Sequence, residues 1–381
     1  SNIYVFNADI EHPTKYGAWQ YGIKLTHFST NSNNEQSILQ ADNTTYLLDT
    51  TRSSVFNYKE YTEAIYGSFN KSFEKVELQL GMRLEFTQLK GTLINTNEVN
   101  KQQYVRPFPS VMIQYNINEN HTINYSITSG IDRPSSWQLN PFRYYINNYT
   151  YAEGNPFILP DYGISTALDY TLNDSYMFSI YYNYNNNSIG QVSYVDSITN
   201  ISHYRWEAGR KVHDVGFYNE YNFSIKDRWL PSISIDAYID FLKSPFLHNA
   251  TERKYWSLDL KISNDFIFDT KNRFSGNLNY YFRPNGIGQE ELTMRAIHSL
   301  SFGLKAQLLK EKQLILSVNA ENVLRNKPTN GYKRTPTGEY FSFTNYYDER
   351  FFRFTATYKF GNNQLKTKTK QINNEDINRV N

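Results

Sequence analysis

Asp236 and Asp240 stand four positions apart in a segment that alternates apolar and polar side chains, so their carboxylates share one face. Paired carboxylates can do general acid–base work, one held protonated and the other ionised. No nucleophile, base and orienting group stand in register around them, so they read instead as solvated carboxylates balanced by water and nearby cations. Seven histidines, at positions 12, 27, 121, 203, 213, 248 and 298, show no metal-ligand spacing. His203 and His213, ten residues apart, read as solvated loop residues. Cysteine is absent, which excludes a disulfide scaffold, a thiolate metal site and a cysteine nucleophile. Asn-x-Ser/Thr triplets at Asn43, Asn148 and Asn249 are expected by chance in so Asn-rich a chain, and Gly286-Ile287-Gly288 lacks the strand-to-helix setting of a phosphate cradle. The expectation is a protein that is not an enzyme and holds no cofactor or metal.

Binding chemistry concentrates in one place. The stretch Ile131–Pro160 contains Trp137, Phe142, Tyr144, Tyr145, Tyr149 and Tyr151, with Arg133 and Arg143 among them. Ring faces and guanidinium forks suit sugars, peptides or anionic chelates. Arg133, Trp137, Phe142, Arg143, Tyr144 and Tyr145 are therefore candidate ligand contacts. The plainer alternative is that these rings pack the loop onto its scaffold.

The scaffold follows from composition and period. Of 381 residues 17% are aromatic, 33 of them tyrosine, yet the mean hydropathy is a polar −0.65. Apolar side chains are spread thinly instead of clustering, as expected where every second residue of a strand faces hydrocarbon and its neighbours face water. Tyr and Trp suit the two membrane–water levels. No stretch approaches the ~20 apolar residues of a membrane-crossing helix. If the chain spans a membrane, it does so as a closed barrel, which alone satisfies every backbone N–H and C=O without water. A net charge of +2 with no basic stripe gives no reason to expect nucleic acid. The chain opens on Ser1, not Met, as a processed chain would, and the lack of cysteine fits export through an oxidising compartment.

Alternation recurs throughout. Val76, Leu78, Leu80, Met82, Leu84 and Phe86 share one face, opposed by Glu77, Gln79, Gly81, Arg83, Glu85 and Thr87. The same holds for Trp256 to Ile262, for Phe274 to Phe282 and for Phe352 to Phe360. About fifteen such segments occur, most reaching the roughly 9–11 residues that cross a bilayer at a tilt. Tyr61–Asn70 is less clean, with Ile65 and Phe69 on one face but Ala64 and Tyr66 on the other. Ser188–Lys211 reads as a long loop or as a strand extended past the membrane.

Connections alternate between short and long. Tight turns fall at His12–Tyr16, Ser72–Glu74, Asn118–Asn120, Asn173–Asp174, Lys226–Arg228, Asp269–Asn272 and Lys310–Lys312. Longer polar connections fall at Asn31–Ser53, Lys90–Gln102, Ile131–Pro160, Asn186–Gly209, Ser244–Glu252, Pro284–Glu290 and Leu324–Asn345. An up-and-down outer-membrane barrel makes short periplasmic turns at one end and longer extracellular loops at the other. Greek-key sandwiches lack that two-sidedness.

Several stretches resemble the TonB-dependent outer-membrane receptors of the Bacteroidetes type. They are Arg133-Pro134, Leu139-Asn140-Pro141-Phe142, Gly154-Asn155-Pro156 with Leu159-Pro160, the run Asn319 to Asn326 placed as a penultimate strand, and the closing Tyr358-Lys359-Phe360-Gly361. The resemblance implies a barrel of about 22 strands filled by an N-terminal plug, of which these residues supply about fifteen strands and lack the plug and roughly the first seven. It also implies partners: outer-membrane lipid, the plug and remaining strands from the same or another chain, TonB acting indirectly through the plug, and a surface lipoprotein.

The sequence thus predicts an all-β, antiparallel up-and-down transmembrane β-barrel over residues 1–361 and a polar, disordered periplasmic tail over 362–381. Its function would be import of a glycan, peptide or chelated metal. Two other readings stay open: a non-transporting structural barrel in an outer-membrane assembly, and a soluble secreted all-β protein that binds polysaccharide.

Overall fold

A computed structural model of the chain describes residues 1–360 apart from 51–52, 197, 249–250, 285, 288–292, 325–328 and 346–347. The expected tail 362–381, the triplet at Asn249, Gly288, and Arg325 and Asn326 of the penultimate-strand run lie outside the described residues. The principal sheet has 17 strands, of which fifteen form one antiparallel meander and two form a hairpin inserted in a loop. The meander runs β1 (Asn2–Thr14), β2 (Gly17–Asn34), β3 (Ser54–Ser72), β4 (Val76–Leu93), β5 (Glu98–Asn118), β6 (His121–Asp132), β7 (Asp161–Leu172) and β8 (Tyr176–Val195). It continues through β9 (Ser202–Asn222), β10 (Trp229–Lys243), β11 (Glu252–Ile267), β12 (Phe274–Arg283), β13 (Ile297–Leu308), β14 (Leu314–Glu321) and β15 (Phe351–Tyr358). Each strand pairs with the one before it, so among the described residues the expected count of about fifteen holds and β14 is the last but one.

Register keeps one face apolar across the whole wall. Ile23, Ile65 and Leu84 stand abreast on β2, β3 and β4, and below them Trp19, Phe69, Leu80 and Val111 form a row that extends into β5. At the other end of the sheet Leu304, Val318 and Phe354 stand abreast. The opposite face carries Arg83, Glu85, Lys261 and Arg353, as the alternation predicts. The mixed segment is explained: Ile65 and Phe69 face outward, while Ala64 is buried on the inner face and the Tyr66 hydroxyl donates to Asp9 there.

The short connections are built for tight reversal. Asn173 and Asp174 have φ of 51° and 52°, and Lys226 and Asp227 both 53°. Left-handed residues of this kind match the right-handed twist of the strands they join, and Asn and Asp tolerate them well. Asp269 closes another turn by accepting from the amides of Arg273 (2.6 Å) and Phe274 (2.9 Å). Those amides, with the Arg273 guanidinium, hold its carboxyl down at about 2.

Three of the long connections prove shorter than the sequence suggests. Residues 94–97 alone join β4 to β5, residues 196–201 alone join β8 to β9, and β2 runs on to Asn34. Polar residues there are strand, because strands of up to 21 residues continue well past the roughly 9–11 that cross a bilayer. Once both faces meet water, alternation fades while the ladder persists. The connections after β12 and β14 prove longer, ending at Ile297 and Phe351.

A register fixed by one apolar face makes a sharp expectation. Leu80→Arg, near mid-height on the outer face, should cost about 2–4 kcal/mol of stability in a lipid bilayer, whereas Gln79→Arg on the inner face should cost far less. Urea unfolding of the protein refolded into vesicles measures both. Equal costs would mean that the faces are assigned wrongly.

Candidate functional site

The site is the segment 133–160, which folds inward from the rim instead of standing away from it. A capping box starts a single helical turn, Ser136–Leu139: the Ser135 amide donates to the Gln138 side chain (2.8 Å) and the Gln138 amide donates to the Ser135 hydroxyl (3.4 Å). That turn drives Leu139 into a core with Phe28, Phe56, Tyr58, Leu89 and Ile158, against which Phe142, Ile189 and Trp206 also pack. Inner faces of β2–β4 and of β8–β9 therefore converge on the same loop, which requires the wall to curve around it.

Polar contacts close the clasp. Arg133 bonds Glu85 with one nitrogen and lies 3.8 Å from Glu60 with another. Arg83 also pairs with Glu85, and the Tyr58 hydroxyl donates to Glu60 at 2.6 Å. Glu60 and Glu85 are 2% and 3% exposed, so they sit where an unpaired carboxylate could not. The Gly154 amide donates to the Asn140 carbonyl (2.9 Å) and the Asn155 amide to that of Gln138 (2.7 Å). A Cβ at Gly154 would collide with the Asn140 carbonyl, so this approach requires glycine. Asn155 donates in turn to Glu207 on β9 at 3.0 Å.

The second half of the segment is a hairpin, Arg143–Asn147 with Thr150–Glu153. Its outer arm pairs in parallel with Ser202–Arg205 of β9, along an edge that β10 leaves bare because its pairing stops at Lys211. Side chains stack across that junction. Arg143 lies 4.7 Å over Tyr151, Tyr151 stacks on His203 at 5.1 Å and 7°, and His203 stacks on Tyr194 at 5.1 Å and 20°. Burial between the rings pushes the His203 imidazole below its usual pKa, so the neutral ring does the stacking. Glu153 is 3.3 Å from Arg143 and 3.9 Å from Arg205.

The six candidate ligand contacts separate accordingly. Arg133 is inside the clasp, Phe142 packs on its core, and Tyr145 lies against Tyr151 at 5.7 Å. Trp137 and Tyr144 are 52% and 64% exposed and Arg143 is also open to solvent; Tyr149 joins them at 68%. Of the binding-type side chains, Trp137, Arg143, Tyr144 and Tyr149 thus stay open to solvent. Glu60, Glu85, Glu207 and His203 escape sequence reading as members of the site, because what marks them is burial by strands distant in the chain.

His203 and His213, the two expected in solvated loops, both lie on strand β9. His213 is on the outer face, its Nδ1 2.8 Å from the Tyr182 hydroxyl and its ring 4.6 Å from Tyr184. His27 stacks on Tyr61 at 4.3 Å, and His298 lies 4.8 Å from Phe282. His121 meets the Tyr170 hydroxyl at 2.7 Å near the short turns. Each belongs to a belt of aromatic rings. Asp236 accepts from Tyr181 (2.7 Å) and stands abreast of Asp259, which Arg283 holds at 2.7 Å; both face inward.

Comparison with known proteins gives three findings. The family model of the outer membrane protein beta-barrel family matches residues 1–358. No curated protein matches the chain. Among solved structures it is similar to the copper transporter OprC (TM-score 0.64, 11% identity, covering 94% of this chain and 56% of that one). It is also similar to the ferric-catecholate import receptor Fiu of E. coli (0.60, 9%, 94% and 54%) and to the FrpB iron transporter of Neisseria meningitidis (0.59, 12%, 94% and 56%). At these identities the likeness is one of fold, and the chain spans little more than half the length of each.

Removing Arg133 should release the clasp. Arg133→Met removes the cation that reaches both buried carboxylates, leaving Glu85 with Arg83, and should cost about 3–5 kcal/mol, opening 133–160 to protease. Adding Glu60→Gln and Glu85→Gln should restore most of the protection. An Arg133→Met protein that resists protease as the parent does would show that the ion cluster does not hold the loop.

Proposed function

The chain belongs to the outer membrane protein beta-barrel family, and from that membership we propose that its strands form the wall of a TonB-dependent receptor importing a nutrient too large for porins. It lies in the outer membrane, so the soluble secreted reading is set aside. The imported class is a glycan, a peptide or a chelated metal.

In this reading the wall is a scaffold, the long-connection side faces the cell exterior, and the loops capture the substrate. A plug and further strands, from the same or another polypeptide, complete and gate the lumen. That assignment rests on the family resemblance and on the chain's spanning little more than half of its solved structural relatives. TonB acts through the plug, and a surface lipoprotein is a candidate partner over the loops.

One observation carries the proposal. The segment 133–160 is pinned by Arg133 and Leu139 at its base while Trp137, Tyr144 and Tyr149 stay exposed on it. Rings held on a rigid base lose little freedom on binding, which favours capture. Arg143, stacked on Tyr151 and paired with Glu153, adds a positioned cation beside them. The structural relatives are named for copper and iron, and those substrates are theirs.

Trp137→Ala with Tyr144→Ala should weaken substrate binding about tenfold or more while leaving the barrel folded. Uptake into whole cells and heat-modifiability on gels measure the two effects, and unchanged uptake would end the capture role. Protease shaving of intact cells should cut first at the hairpin tip around Asn147–Tyr149. First cleavage at Lys226–Arg228 would reverse the orientation.

A further inference from the structure

Lys59, Lys90 and Lys101 stand directly abreast on β3, β4 and β5: Lys59 is the cross-strand partner of Lys90, and Lys90 that of Lys101. All three are exposed, on the face that carries Ile65, Leu84 and Phe86. Among the described residues none of them has a carboxylate within ion-pair distance. Like charges directly opposite on neighbouring strands repel, so an unbalanced row of three is a standing cost to the sheet.

The row's height gives it meaning. The apolar band on β4 runs from Val76 to Phe86, roughly 25 Å at the usual strand tilt. Lys90 is four residues beyond Phe86, roughly 10 Å above the band, where headgroups lie and hydrocarbon does not. The long lysine stems can lie along the wall while their ammonium groups gather at one level.

The arrangement recurs around the wall. Lys211 and Lys243 are cross-strand partners on β9 and β10, with Lys211 four residues above Val215 of the apolar band. Lys254 of β11 lies 5.2 Å over the Phe241 ring beside them. These lysines line a cavity of about 750 Å³ with His213 and Phe241, on the outward surface of the wall. One carboxylate, Glu252, balances Lys243 there at 3.4 Å.

We infer that both lysine groups, and Lys59, Lys90 and Lys101 foremost, bind the phosphorylated headgroup of an outer-leaflet lipid. A bis-phosphorylated headgroup offers charge of the right sign at the right height and spans neighbouring strands, which a single small anion does not. From the preceding reading the inference takes only that the loop side faces the cell exterior. It is tested without uptake, so either idea can fail alone.

The full chain in neutral detergent is mixed with bis-phosphorylated lipid A, or with the same lipid stripped of phosphate, and bound lipid is counted by native mass spectrometry. The parent should retain the phosphorylated lipid selectively. Lys59→Gln with Lys90→Gln and Lys101→Gln should weaken retention about a hundredfold, roughly fivefold per lysine. Lys226→Gln with Lys310→Gln and Lys312→Gln, at the short-turn end, should leave it unchanged. Equal retention of both lipids, parent-like retention by the first triple variant, or displacement by inorganic phosphate alone would overturn the inference. Lys90→Gln by itself gives a second reading that does not depend on the triple variant folding. It should raise the unfolding temperature without lipid, by relieving repulsion, and lower it relative to the parent with lipid A present. A variant less stable than the parent in both conditions would also overturn it.

Discussion

Backbone amides inside hydrocarbon have no water to bond, so each must find its partner in a neighbouring strand, and this requirement organises the whole chain. The meander meets it by pairing every strand with its sequence neighbour. Pairing alone would permit any register. A one-residue slip, however, would carry Arg83, Glu85, Lys261 and Arg353 into lipid together. Ladder and pleat are thus one constraint, and the tight turns at Asn173–Asp174 and Lys226–Asp227 hold each hairpin to it.

Beyond the apolar band the physics changes. Water is available on both sides, yet the strands continue, because the inward-folded loops give them something to cover. Leu139 and Ile158 fill the space against Phe28, Phe56 and Leu89, while Leu247 does the same against Val212, Leu242 and Tyr255. The two ends of the wall therefore rest on different terms, lipid packing below and a small water-soluble type of core above. Buried charge belongs to the upper one: Glu60 and Glu85 are tolerable there because Arg133 reaches both.

Between these regions lies a level where rings gather. Tyr4, His27 and Tyr61 stack across three strands, and Tyr182 and Tyr184 close on His213. An imidazole placed there can bond a phenol and still pack as a flat ring, which suits a boundary of mixed polarity. The lysine rows stand just above this level. Aromatic rings and ammonium groups together fix the height of the wall more sharply than the apolar band can, since a methyl group slides through hydrocarbon at little cost and a charge does not.

Period two, the spacing of turn residues and the alternation of short and long connections were enough to read about fifteen strands and their inward and outward faces, while the penultimate place of Asn319–Glu321 came from the family resemblance. These are local properties: a strand's faces follow from its own residues, and a left-handed turn from its own Asn or Asp. The sequence could not say where strands end above the membrane, as at Lys90 or Ser188, because alternation stops reporting strand once both faces are wet. Nor could it sort Ile131–Pro160. Arg133 and Arg143 are the same residue type in the same loop, yet one is a buried tie and the other an exposed cation. That difference is set by Glu60 and Glu85, brought from strands β3 and β4 far earlier in the chain, and only the folded wall puts them within reach.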